Sequence, residues 1–182
     1  MKYLKIGTHE LLAFALIALA LALRLFLASQ NWPLLDSDEG TFGLMARHIA
    51  YQGGHPTFLD GYHYMGALQS YIGAVLFHIF GPSTLSLRLG ILLLITLFLT
   101  SLYLLTRALY TRNLALVVLA LLCGGSHYVL EYQVHSYGGY PDTLLFGTLL
   151  FLFAFWLAFF EARTFSPRRY WWRYLLYLGW GA

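Results

Sequence analysis

Carboxylates are scarce in this 182-residue chain, and half of them are concentrated in one short stretch. Four of the eight acidic residues lie within 25 positions, namely Asp36, Asp38, Glu39 and Asp60. A carboxylate that is held in place can accept the proton of an attacking hydroxyl group, which is general-base chemistry. A structural role is the alternative, because acidic side chains at the start of a helix also satisfy its free backbone N–H groups. The cluster therefore predicts either a reacting centre or the capped start of a helix.

A second polar stretch covers residues 131–142, and it ends in Asp142 just before a long apolar run. This residue is a candidate for a helix cap or for a second carboxylate of the same site. Arg47, nine positions after Asp38, is a candidate partner for a phosphate group. The sequence contains no HExxH motif, no Walker A loop and no dinucleotide fingerprint, and its single cysteine excludes a disulfide framework.

The composition indicates the elements that must position these residues. Hydrophobic residues make up 59% of the chain and charged residues only 10%, against about 25% charged residues in an ordinary soluble domain. So few charges could not coat the surface of a soluble globule. The 14 Tyr and 5 Trp residues suit membrane–water boundaries. We therefore expect an integral membrane protein with several spans, whose first partner is the lipid bilayer, and no nucleic-acid partner.

Four apolar runs approach the length of about 20 residues that a helix needs to cross a bilayer. They cover residues 10–29, 87–106, 114–130 and 143–160. A fifth run starts at residue 174 and is still apolar at Ala182, so we expect the N-terminal portion of a larger transmembrane domain. A cleavable signal peptide is the competing interpretation of the first run. We disfavour it because the run is long and no small-x-small cleavage site follows it.

The basic residues set the expected orientation. If residues 65–80 formed another span, six of the 11 Lys and Arg residues would lie on the translocated side, which the positive-inside rule disfavours. If that stretch lies in the interface, eight basic residues share the side of the N-terminus: Lys2, Lys5, Arg107, Arg112, Arg163, Arg168, Arg169 and Arg173. We therefore predict a cytoplasmic N-terminus and external segments at 30–86 and 131–142. Asp38 and Asp142 then lie on the same outer face.

Several motifs resemble, in order, those of the GT-C membrane glycosyltransferases. The relevant superfamily comprises protein O-mannosyltransferases, lipid A aminoarabinose transferases and the bacterial proteins of glycosyltransferase family 39. Its first external loop resembles LLDSDEGTFGLMARHIAYQG, and its juxtamembrane helix and second span resemble YHYMGALQSYIGAVLFHIFGPSTLSLRLG. Its second cytoplasmic turn resembles LYTRNLALVVLALL, and its second external loop resembles YGGYPDTLLFGTLLFLF. The resemblance implies an all-α polytopic fold with external juxtamembrane helices.

The resemblance also implies roles for individual residues. Asp38, the first member of the Asp-Glu pair, is implied as the general base, and Asp142 as a residue of the same cavity. We expect Glu39 and Asp142 to orient the sugar or the acceptor, and Arg47 to meet the lipid phosphate. The aminoarabinose transferases have Glu-Lys-Pro where this chain has Tyr64-Met65-Gly66. Tyr64 is therefore expected to contact substrate, but no metal or lipid contact of that Glu or Lys carries over.

The activity implied is the transfer of a sugar, with inversion, from a polyprenyl-phosphate donor to a hydroxyl group of a glycan, lipid or protein acceptor. The reaction would take place at the outer face of a bacterial plasma membrane. The sequence requires no cofactor, and a divalent cation stays an open alternative. Two other functions compete, a polytopic transporter or flippase-like protein and a non-catalytic membrane scaffold. A transporter usually has broken or ionisable segments at mid-membrane, whereas here the only break, Cys123-Gly124-Gly125, lies toward the end of its run.

Overall fold

The computed structural model describes residues 7–161, with side chains up to residue 157. This part of the chain is mostly helical and contains seven helices and one two-stranded antiparallel hairpin. In chain order the elements are α1 (Thr8–Ser29), α2 (Ser37–Gln52), β1 (Phe58–Leu59), β2 (Tyr62–Gly66), α3 (Leu68–Phe80), α4 (Thr84–Leu109), α5 (Arg112–Gly124), α6 (His127–Val134) and α7 (Tyr140–Glu161). The fifth run predicted from residue 174 lies outside the described residues, as do six of the eight basic residues that set the predicted orientation, all but Arg107 and Arg112.

Helix α4 is the centre of the fold, because α1, α3, α5 and α7 all pack against it. Helix α2 lies on α3, and glycines allow the helices of this layer to approach closely. A Cβ atom on Gly73 of α3 would lie 2.7 Å from Leu87 Cδ1, and one on Gly90 of α4 would lie 2.9 Å from Ile72 Cγ2. A larger side chain at either position would therefore require the Leu87 or the Ile72 side chain to shift.

Three of the described helices, α1, α4 and α7, are long and apolar enough to cross a membrane. The sequence predicts a further continuous helix over 114–130, but the structure divides that region into α5 and α6, which meet at an 84° bend. The division has a local cause. Gly125 has a positive φ of +41°, and the Ser126 hydroxyl then accepts a hydrogen bond from the Val129 N–H to start α6.

Helix α3 is the short apolar element between the hairpin and α4. At 13 residues its length is about 20 Å, which is less than the hydrocarbon thickness of a bilayer. Two of its apolar residues face outward, since Val75 is 59% and Ile79 is 64% exposed, whereas Leu68 and Ile72 pack against the core. The buried residues of this helix are polar, small and aromatic, namely Gln69, Ser70, Gly73, Ala74 and Phe77. The protein interior thus receives both polar and apolar side chains of α3.

A buried arginine closes the bend between α5 and α6. The guanidinium of Arg24, on α1, donates to the carbonyl oxygens of Ala20 at 2.9 Å, Leu122 at 2.8 Å and Cys123 at 3.4 Å. It also donates to Gln133 Oε1 through Nε, at 3.0 Å, and through Nη2. Carbonyl groups in the last turn of a helix have no partner within it, and a cation is favourable at that end. Arg24 therefore donates hydrogen bonds to the free carbonyl groups at the end of α5 and places a positive charge there.

Arg24→Met is expected to lower the free energy of unfolding by roughly 3 kcal/mol, because it leaves several buried acceptors without donors. The measurement is a denaturation curve in detergent solution. Arg47→Met is the matched control, since Arg47 is exposed on α2 and its loss should change stability by less than about 0.5 kcal/mol. Equal stabilities for the two variants would show that Arg24 does not hold the bend.

Candidate functional site

Helix α2 begins at the acidic cluster and ends at a glycine. Asp36 is the N-terminal cap, and its Oδ1 accepts a hydrogen bond from the Glu39 N–H at 2.8 Å. Gly53 ends the helix in a left-handed conformation with φ of +70°, which glycine adopts without strain. The acidic cluster is therefore the start of a helix, and the three acids at its end occupy different environments.

Glu39 forms a buried ion pair with Arg88 of α4. The guanidinium donates to both carboxylate oxygens at 2.8 Å, and both side chains are almost fully buried. The remaining donors of Arg88 reach the carbonyl oxygens of Trp32 at 3.1 Å and Pro33 at 2.8 Å. The sequence predicts Glu39 as a substrate ligand, but its carboxylate is occupied inside the protein. We infer that it fixes α2 on α4.

Asp36 connects α2 to the second polar stretch. Its Oδ2 lies 3.2 Å from Nε2 of His135, a residue 99 positions away that is 1% exposed. The other ring nitrogen of His135, Nδ1, lies 2.9 Å from the carbonyl oxygen of Glu131. The segment at residues 135–142, here called the second segment, therefore begins in direct contact with the first turn of α2.

Tyr137 extends this contact toward Asp38. The pKa of its hydroxyl is raised, first by the neighbouring Tyr132 hydroxyl, then by desolvation, and then by the negative charges of Asp36 and Asp38. The Tyr137 ring also lies 5.5 Å from that of His135, centroid to centroid, in an edge-on arrangement. The Asp38 carboxylate therefore acts on Tyr137 electrostatically, without a direct contact.

Asp38 is the acid of this turn that the protein leaves unengaged. It is half-buried, and within residues 7–161 its carboxylate receives no hydrogen bond and forms no ion pair. Its neighbours differ, because Asp36 binds the Glu39 N–H and His135 while Glu39 binds Arg88. A carboxylate with free lone pairs in a partly desolvated position is chemically able to accept a proton from a bound hydroxyl group.

Asp142 lies in the first turn of α7 and is held by Gln69 of α3. The Gln69 amide donates to Asp142 Oδ2 at 3.2 Å and to the carbonyl oxygen of Gly138 at 2.9 Å. Because both of these neighbours are acceptors, the amide nitrogen must face them and Gln69 Oε1 must face away. Gln69 Oε1 and Asp142 Oδ1 are buried acceptors without a donor among the described residues. The site therefore contains two buried acceptors that lack donors, which is energetically unfavourable.

Arg47 lies on a different side of α2 from Asp38. Nine residues of helix separate them by about 13 Å along the axis and by half a turn. Arg47 borders an apolar groove of about 320 Å³ that is lined mainly by Leu35, Gly40, Gly43, Leu44, Phe77 and Leu87. The structure therefore does not bring Arg47 together with the carboxylate of Asp38.

Tyr64 lies on the hairpin strand β2 and is 77% exposed. Its ring packs edge-on against Tyr62 at 6.0 Å, and within the described part of the chain no hydrogen bond or ring contact joins it to Asp38 or Asp142. Among residues 7–161 no group of three His, Cys, Asp or Glu side chains is arranged to hold a metal ion.

Three residues that shape this site were not predicted from the sequence as site residues. They are Arg88, His135 and Gln69, and each acts through a partner at least 49 positions away. Arg88 is a charge in an apolar run, which signals a buried partner, but no local signal identifies His135 or Gln69.

The chain matches no protein-family model, no curated protein and no solved structure.

Glu39→Gln and Asp38→Asn make the same chemical change at adjacent positions and should have very different effects on stability. Glu39→Gln leaves the charge of Arg88 uncompensated in the interior, so the free energy of unfolding should fall by about 3 kcal/mol. Asp38→Asn removes no described contact and should change it by less than about 0.5 kcal/mol. Denaturation curves of both variants in detergent measure the difference. Similar losses would contradict the division of roles.

Proposed function

We propose that this chain forms part of the transmembrane domain of a GT-C type glycosyltransferase, with its N-terminus in the cytoplasm and the acidic site at the outer face. The outer surfaces of its apolar helices support insertion in lipid. On α1, Phe14 is 73% exposed, and Leu19 and Phe26 are each 59% exposed. Large apolar side chains gathered on one helix surface are unfavourable in water, and a bilayer would cover them.

The observation that carries the enzymatic proposal is the free carboxylate of Asp38 at the junction of the two polar stretches. The two stretches are joined by the contact between Asp36 and His135 at 3.2 Å. Asp38 sits in the same helical turn as Asp36 and acts electrostatically on Tyr137. The helix end that contacts the second polar segment thus also carries an unengaged carboxylate, and fixed positioning contributes much of the rate of a bimolecular reaction.

The proposed reaction is a single displacement at the anomeric carbon of a polyprenyl-phosphate sugar. The acceptor hydroxyl gives its proton to the Asp38 carboxylate as its oxygen forms a bond to that carbon. The bond between the anomeric carbon and the phosphate oxygen breaks on the opposite side, and the polyprenyl phosphate leaves with the electron pair. Configuration at the anomeric carbon is inverted because attack and departure occur on opposite faces.

Asp142 and Gln69 are proposed to bind hydroxyl groups of the sugar or of the acceptor. Their unpartnered acceptors, Asp142 Oδ1 and Gln69 Oε1, need donors, and sugar hydroxyl groups supply them. Arg47 receives no role in the reacting centre, because Arg47 and Asp38 lie on opposite sides of α2. The phosphate of a sugar that is attacked beside Asp38 would therefore be out of reach of Arg47. A cation for the leaving phosphate is therefore not assigned to Arg47 in this proposal.

A transporter-like function is the second candidate, and the bend between α5 and α6 is the observation that favours it. Broken helices at binding sites are common in transporters. Here, however, the carbonyl groups that the break releases at Leu122 and Cys123 are already bound by Arg24. A substrate for this break would have to displace a buried guanidinium. Only a transferase releases sugar from a labelled polyprenyl-phosphate donor, so that assay separates the two functions.

Asp38→Asn in the full-length protein should lower sugar transfer by at least about 100-fold, the contribution expected of a positioned general base. The measurement is the release of labelled sugar from a polyprenyl-phosphate donor in detergent or vesicles. Asp60→Asn is the matched control, because Asp60 is an exposed acid between the hairpin strands and should retain near-normal transfer. Normal turnover of the Asp38 variant would exclude this residue as the base.

Thiol labelling should place the two polar stretches in one compartment. In a Cys123→Ala background, single substitutions Leu34→Cys and Tyr140→Cys are expected to react with an impermeant maleimide added outside intact cells. Tyr110→Cys, at the predicted cytoplasmic turn, should react only after the cells are opened. All three positions are exposed, with Leu34 at 86%. Labelling of Leu34→Cys and Tyr140→Cys from opposite sides would overturn the shared site.

A further inference from the structure

The surroundings of His135 determine where its protons are. Its Nδ1 faces the carbonyl oxygen of Glu131 at 2.9 Å, and a carbonyl oxygen can only accept a hydrogen bond. Nδ1 must therefore carry a proton. Its Nε2 faces Asp36 Oδ2 at 3.2 Å. A neutral imidazole with its proton on Nδ1 would present a lone pair to a carboxylate oxygen, which is repulsive. One additional proton is therefore needed between His135 and Asp36.

The position of Asp36 favours its ionised form. Its Oδ1 accepts the backbone N–H of Glu39 at 2.8 Å, and hydrogen bonds from backbone N–H groups stabilise a carboxylate. It also caps the N-terminus of α2, where the helix dipole favours negative charge. A protonated Asp36 would lose both benefits, so the additional proton belongs on the imidazole.

We infer that His135 is an imidazolium ion whose ion pair with Asp36 links the second segment to the first turn of α2, which carries Asp38. The pair lies between residues 99 positions apart, with His135 almost completely buried. A buried cation of this kind stays charged only when it is paired and hydrogen-bonded, and here both ring N–H groups have acceptors. His135 is thus a positioning residue, since it acts on the reaction through Asp36 and the first turn of α2.

The charged groups on the elements packed around His135 are consistent with a cation there. The acids outnumber the bases, and each arginine is bound to other partners, Arg24 to Gln133 and Arg88 to Glu39. The groups concerned are Asp36, Asp38 and Glu39 on α2, Arg24 on α1, Arg88 on α4, Glu131 on α6, Asp142 on α7 and the hydroxyl of Tyr137.

The direct test is the ¹⁵N NMR spectrum of histidine-labelled protein at neutral pH. The two ring nitrogens of an imidazolium have similar shifts, whereas those of a neutral tautomer differ widely. The His135 signals are assigned by their loss in His135→Gln. We expect similar shifts for the two nitrogens in the wild-type protein. Widely separated shifts would overturn the inference, whatever the activity of the protein.

Asp36→Asn separates the ion pair from the helix cap. An amide caps a helix as well as a carboxylate does, and its N–H can donate to the Nε2 lone pair of a neutral imidazole. In this variant the His135 shifts should become those of the neutral form, and the contact should no longer need the extra proton. An imidazolium that persists in Asp36→Asn would show that Asp36 is not the group that holds the proton.

The positioning role rests on the proposed function and is tested by transfer kinetics. His135→Gln should lower kcat about 10-fold while the donor KM stays within about twofold, because a misplaced base slows chemistry more than binding. His48→Gln, at an exposed position of α2, should leave both constants unchanged. An unchanged kcat in His135→Gln would remove the positioning role.

If Asp38→Asn instead retained full transfer while the wild-type NMR spectrum showed the imidazolium, the proposed function would fail and the assignment of the proton would stand.

Discussion

The ion pair between Glu39 and Arg88 is the contact on which the position of the acidic turn depends. Both groups are buried, each oxygen of the carboxylate receives an N–H at 2.8 Å, and the two residues are 49 positions apart. Neither charge is tolerable in the interior without the other. Because Glu39 is fixed in this way, the neighbouring Asp36 and Asp38 are carried on a turn that cannot rotate relative to α4.

Three acids in four positions illustrate how environment, and not residue type, decides the role of a carboxylate. Both carboxylate oxygens of Glu39 accept hydrogen bonds from the guanidinium of Arg88. Asp36 accepts a backbone N–H with one oxygen and contacts the imidazole of His135 with the other. Asp38, half-buried and unengaged among the described residues, retains its lone pairs for a ligand. Negative charge is thereby concentrated at the N-terminal end of a helix, where it is favourable, while the carboxylate of Asp38 stays able to bind a ligand.

Local features of the site were predictable from the sequence and distant ones were not. The cap at Asp36 and the end of α2 at Gly53 follow from signals within a few residues, as do the long apolar helices α1, α4 and α7. The break after α5 has a local signal at Gly125, but the group that binds its free carbonyl oxygens is Arg24, about a hundred positions earlier, and the site likewise depends on distant partners. The orientation of the apolar residues of α3 was ambiguous, because apolar periodicity alone does not distinguish a face toward lipid from one toward the core.

The two contacts of Asp36, with the Glu39 N–H and with His135, also couple the motion of the first turn of α2 to that of the second segment. Helix termini ordinarily fray, because their end residues have few contacts beyond the helix itself. The first turn of α2 cannot open in this way unless Asp36 also releases His135. The helix start and the segment that leads into α7 therefore open and close together as one cooperative unit, and disorder that begins at either one would reach both.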